Sequence, residues 1–194
     1  MRNLTMLAIT GVLVLAGGSA GAQKTAHSPS RPTPVIQSAS PDQSSAPMTT
    51  LSAMSATPST IQFSANDPGS AVAGNSTATV QWTITGGVNG NTWTLSVYAN
   101  STTFTGCTTV PASAVGVTCT SATHTGTRPT ATCESGGPFT LPTTAPGQEV
   151  ASGNEGSAGT HTFTVVLTYQ FTDSWEFIAN ASCPLTITYT VNAP

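Results

Sequence analysis

Few side chains in this chain are suited to acid–base or nucleophilic work, and they stand far apart. After residue 58 the histidines are His124 and His161, and the acids are Asp67, Glu134, Glu149, Glu155, Asp173 and Glu176. A nucleophilic triad needs a Ser or Cys held against a His and an acid. His161, in Thr160-His161-Thr162-Phe163, has the parity of the neighbouring apolar residues at a strand start and reads as a rim residue. His124, among Thr, Ser and Gly, reads as a solvated loop residue. No G-x-S-x-G elbow or H-E-x-x-H helix occurs. Among the acids, Asp173 lies near Glu176, and Glu149 and Glu155 flank Ser152-Gly153-Asn154. Glycoside hydrolysis needs two carboxyls at a defined separation, which spacing along the chain does not establish. No catalytic set is therefore assigned, the expectation is that the protein is not an enzyme, and no cofactor is expected.

Oxygen ligands for calcium are available on loops, as Asn154, Glu155 and Asp173, or Asn66 with Asp67. Calcium takes six to eight oxygens, and the D-x-D-x-D-G loop that gathers them is missing. These residues read as solvated turns, and no metal site is expected. Cys107, Cys119, Cys133 and Cys183 contain no C-x-x-C pair of the kind zinc uses. An even number in an exported chain predicts two disulfides. Of the three connectivities, Cys107–Cys119 would close the short 108–118 excursion and Cys133–Cys183 would tie a Gly-rich loop to the last strand, and this pairing is the expectation.

Aromatic side chains offer a different chemistry, because a flat indole stacks on the apolar face of a sugar. Trp82 and Trp93 share parity with aliphatic neighbours and belong to a core. Trp175, between Asp173-Ser174 and Glu176-Phe177 near the end of the longest strand pattern, is the candidate ligand contact. Tyr98 joins it, being on the parity opposite to Trp93 and Val97.

The elements that must position these groups are strands. Period-two alternation runs through Ile61 and Phe63, through Val80, Trp82 and Ile84, and through Trp93, Leu95 and Val97. It is longest at Phe163, Val165, Leu167, Tyr169 and Phe171, and recurs at Leu185, Ile187, Tyr189 and Val191. Alternation of this kind marks strands with one face buried and one wet. Gly and Pro punctuate the runs, as at Asp67-Pro68-Gly69 and Ala145-Pro146-Gly147. About seven to nine strands over roughly 135 residues predict an all-β, antiparallel two-sheet sandwich over residues 59–194. Recurrent T-x-T triplets, such as Thr162-Phe163-Thr164, have no fixed period and read as outward threonines on those strands.

Ahead of this domain lie two other segments. Arg2, the apolar run Leu4–Ala16 and the small-x-small site Ala20-Gly21-Ala22 make residues 1–22 a cleaved secretory signal, too short to span a membrane. The mature chain then begins near Gln23, outside the cytoplasm, at the cell surface, in the periplasm or released. Residues 23–58 are rich in Ser, Thr, Ala and Pro and read as a disordered linker or stalk. Charged residues are 6% of the chain against an average of about 25%. Arg128 is the only basic side chain after residue 58. So neutral a surface cannot neutralise phosphates, which excludes nucleic acid and disfavours anionic membranes.

The strand pattern of residues 59–194 resembles the bacterial immunoglobulin-like sandwiches of secreted and surface proteins. The antibody-type Cys…Trp…Cys order is not reproduced, since Trp82 and Trp93 precede every cysteine. The resemblance implies a fold and nothing further. The functional expectation is a secreted, noncatalytic structural or adhesive surface module whose partners are glycans or other extracellular surface proteins. The alternative is a carbohydrate-binding module that uses Trp175 and Tyr98.

Overall fold

The computed structural model describes residues 6–11, 49–52, 54–63, 68–177 and 183–194. It is all-β and antiparallel. Five strands form one sheet in the order β1 (Met6–Gly11), β14 (Ile187–Asn192), β6 (Thr92–Ala99), β12 (Gln148–Asn154) and β10 (Thr132–Cys133). The second sheet runs β11 (Phe139–Thr140), β9 (Val115–His124), β13 (Thr160–Thr172), β5 (Ala78–Thr85) and β2 (Thr50–Leu51). On that sheet β3 (Ser55–Thr57) also pairs with β5, and β4 (Ala71–Ala73) with β13. A small ribbon of β7 (Thr103–Phe104) and β8 (Cys107–Pro111) leads through one 3-10 turn, Ala112–Ala114, into β9.

The alternating residues do what their parity requires. Val80, Trp82 and Ile84 of β5 are buried, as are Phe163, Val165, Leu167, Tyr169 and Phe171 of β13 and Trp93, Leu95 and Val97 of β6. They meet between the sheets: Trp82 stacks on Phe163 at 5.6 Å, and Trp93 packs edge-on to both. Across the same core the Tyr169 hydroxyl donates to the Tyr189 hydroxyl at 3.0 Å. Burial pushes the Tyr189 phenol up to about 12 and raises Tyr169 as well, so both stay neutral and the bond survives ordinary pH. Outward threonines bond to one another across strands, as Thr83 with Thr162 at 3.4 Å and Thr85 with Thr160 at 3.2 Å.

Three expectations change. The sheet begins before residue 59: β2 and β3 pair with β5, and Met54 is buried in the core. Residues 12–48, which hold most of the expected stalk and the end of the expected signal, lie outside the described residues, whereas Met6–Gly11 lies along β14. Ile61 and Phe63 are buried as their alternation implies, but they belong to no strand.

The disulfides are the third correction: Cys107 bonds to Cys183 and Cys119 to Cys133, with Cα separations of 5.6 and 5.4 Å. Distance along the chain misled because Cys119 lies inside β9, opposite Leu167 of β13, while Cys107 lies in the β7–β8 ribbon at the end of the domain where the chain turns into β14. The 14-residue bridge holds the Gly-rich segment around β10 against β9, and the 76-residue bridge holds the ribbon to the approach of the last strand.

Candidate functional site

Trp175 stands at the tip of a turn whose backbone is held by hydrogen bonds from each side. After β13 ends at Thr172, the Asp173 carboxylate accepts the Ser174 N–H at 2.8 Å. The Ser174 hydroxyl oxygen accepts the Glu176 N–H at 3.3 Å, and the Ser174 carbonyl accepts the Phe177 N–H at 3.0 Å. The Asp173 carbonyl takes the Gly69 N–H at 2.9 Å, which ties the turn to the loop before β4. Phe177 roots it below, 6.0 Å from Phe171, which in turn meets Phe63 and Phe104 at 5.7 and 5.9 Å. Between these anchors the indole is left 88% exposed, and Glu176 beside it is exposed as well. An indole held in water in this way adds little to the burial of apolar surface in the fold.

Tyr98 sits elsewhere. It lies on the outward row of β6, in register with Thr188 of β14, and is half-buried. Trp175 and Tyr98 are thus mounted on different sheets, and the two do not make one face.

The opposite end of the domain collects the groups that could have done chemistry. Glu155, just after β12, is 0% exposed. Its Oε2 accepts the Val88 N–H and the Thr49 hydroxyl, both at 3.3 Å, while its own N–H donates to the Asn91 carbonyl at 2.9 Å. Oε1 is buried without a hydrogen-bond partner. Loss of hydration raises its carboxyl above the usual carboxylate range, and the Val88 N–H, the Thr49 hydroxyl and the Asn91 side chain only partly oppose that. His161, the second residue of β13, is half-buried with Nε2 3.1 Å from the Ser157 carbonyl, so Nε2 carries the proton. Its Nδ1 is left unpartnered beneath Gly126, where an added methyl would come within 2.7 Å of it. His124 closes β9 opposite Phe163, 6.5 Å from its ring, and is half-buried rather than a solvated loop residue. The indole nitrogens of Trp82 and Trp93 are also buried without partners at this end. Gly153 makes the close packing there possible, since a Cβ would fall 1.9 Å from the Thr130 carbonyl and 2.8 Å from the Trp93 ring.

Chain neighbours among the acids prove poor guides. Asn154 and Glu155 precede β13 and Asp173 follows it, so this thirteen-residue strand, roughly 40 Å long, separates the proposed calcium ligands. Asn66 and Asp67 lie outside the described residues. Glu149 and Glu155 part as well, because Glu149 points outward in register with Ser96. Sequence reasoning missed Glu149's actual partner. Glu134, beyond β10, hydrogen-bonds to it, and its Oε1 also accepts the Ser152 hydroxyl at 2.6 Å. Burial first, and then the charge of Glu134 and a hydrogen bond with it, raise the Glu149 carboxyl. Only the pairing of β10 with β12 brings them together.

Among the described residues no group of three or more His, Cys, Asp and Glu is placed to hold a metal ion, and no helix is long and apolar enough to cross a membrane. Compared with protein families, curated proteins and solved structures, the chain matches none.

Proposed function

We propose that this chain is a secreted, noncatalytic, immunoglobulin-like β-sandwich that serves as an adhesive surface module at the end of a Ser/Thr/Pro-rich stalk. The observation that carries it is Trp175, 88% exposed on a hydrogen-bonded turn rooted in the core through Phe177. A held indole flanked by Asp173 and Glu176 is the equipment for docking a neutral, hydroxyl-rich surface: the ring supplies apolar contact and the carboxylates accept hydroxyl protons. Glycans are the partner class with that chemistry. The two disulfides suit an oxidising compartment. The noncatalytic part draws support from the engagement of the reactive groups: Glu155 with a backbone amide, His161 with a carbonyl, and Glu149 with Glu134.

The test is binding of the secreted chain to a panel of glycans and insoluble polysaccharides, with Trp175→Ala alongside. Saturable binding that disappears in the variant supports the adhesive reading. Binding that the variant keeps moves the contact to another surface, with the Tyr98 face examined next. A panel without binders removes glycans as the partner class.

A further inference from the structure

Among the described residues, the other outermost strands of the two large sheets are short. β10 and β11 are two residues long, and β10 is tied to β9 through Cys133. β2, β3 and β4 are two or three residues long, and β2 and β3 are separate pieces on the side of β5. Short and broken strands of this kind resist edge-to-edge pairing. β14 is different. Ile187-Thr188-Tyr189-Thr190-Val191-Asn192 is six residues long, β-branched or aromatic but for Asn192, and free of charge, Pro and Gly. Its outer side is fully paired, antiparallel, from Ile187 to Asn192, and the segment that pairs with it is Met6–Gly11, inside the expected secretory signal. Cleavage after Ala22 would therefore expose the outer edge of β14.

We propose that, in the mature chain, β14 pairs with β14 of a second copy, joining the two five-stranded sheets across a two-fold axis; this rests on the reading that residues 1–22 are removed. The strand is self-complementary. An antiparallel pairing centred on Tyr189 sets Ile187 against the second copy's Val191, and Thr188 against its Thr190. The inward row, which Tyr189 shares with Tyr169 of the facing sheet, then continues into the second copy as an apolar row. The outward row becomes cross-strand threonine pairs, an arrangement this chain already uses at Thr83–Thr162 and Thr85–Thr160. Thr190 Oγ1, buried and unpartnered beside β1, gains a hydroxyl neighbour. The chain's own residues 23–48 fit the slot less well: their prolines cut them into short pieces, and Val35 and Ile36 are adjacent rather than alternating.

The buried core of the described residues runs from Met54 to Ala193, so a chain starting at Gln23 retains it. That chain, secreted through an unrelated leader, is examined by light scattering and by hydrogen exchange over residues 187–192. The expected mass is twice that of one chain, with the β14 amides protected. Thr188→Lys/Thr190→Lys sets like charges opposite each other and should halve the mass. Thr188→Lys/Thr190→Glu sets opposite charges there and should restore the pair. A monomer with exchanging β14 amides overturns the proposal. A monomer with protected amides also overturns it and assigns the edge to the chain's own stalk. Equal masses for the two charge variants overturn it too. The N-terminal mass of the naturally exported protein tests the leader reading separately.

Discussion

The two ends of this domain reverse the usual rule about what belongs in water. At the β13 C-terminal end a tryptophan is 88% exposed, and at the opposite end a glutamate is wholly buried. The first costs the fold little, because its neighbours Asp173, Ser174 and Phe177 make the structural bonds. The second is costly on its own and is retained with a set of bonds that gathers three segments: the start of the sheet at Thr49, the β5–β6 turn at Val88 and Asn91, and the exit of β12. Glu155 joins three segments through its bonds, whereas the Trp175 indole stays in solvent.

The largest perturbation lies at the Trp175 end. Replacing Cys107 and Cys183 by Ala should lower unfolding free energy by about 4.5 kcal/mol for a 76-residue closure, against about 3 kcal/mol for the 14-residue Cys119–Cys133 bridge. Denaturant titration gives both, and a smaller loss for the longer closure would break the assignment of that end as covalently held. Glu155→Ala comes next. It leaves the Val88 N–H and the Thr49 hydroxyl without their acceptor, at a cost of about 1–3 kcal/mol, and hydrogen exchange should rise at Val88.

The pH dependence sharpens the contrast further. Glu155 and Glu149 both titrate above the usual carboxylate range when folded. Between the unfolded value, about 4.3, and each raised folded value, the native state holds more protons than the unfolded state. Their contribution to stability therefore falls as pH rises through that window. Melting temperature measured across it should drop with rising pH, and Glu155→Gln should flatten the slope; an unchanged slope would mean that Glu155 is not the buried acid responsible. Smallest in stability is Trp175→Ala, expected within about 0.5 kcal/mol of the parent by thermal melting. A larger loss would make the indole a packing residue and erase the difference between the two ends.

The long strands were legible because alternation is a local property. Val80-Gln81-Trp82-Thr83-Ile84 and the run from Phe163 to Phe171 match β5 and β13 closely, and the parity of Trp82 and Trp93 correctly sent both indoles inward. β9 and β12 escaped that signal. Each carries a register shift, between Val166 and Leu167 on the partner of β9 and between Glu149 and Ala151 within β12, and an extra residue inverts the parity on which the reading depends. The exposed position of Trp175 was legible from its place beside acids at a strand end. The distance that parts it from Tyr98's sheet was not.

By itself the sequence determined the class of fold, the residues that line the core, the scarcity of charge and the even set of cysteines. These follow from composition and from the two-residue period, which act within a few positions of each residue. Only the tertiary structure decided which cysteines pair, that Glu149 meets Glu134, that Glu155 is buried, and which segment lies along β14. Each of these depends on which strands become neighbours, and antiparallel pairing brings together residues tens of positions apart, at distances that spacing along the chain does not encode.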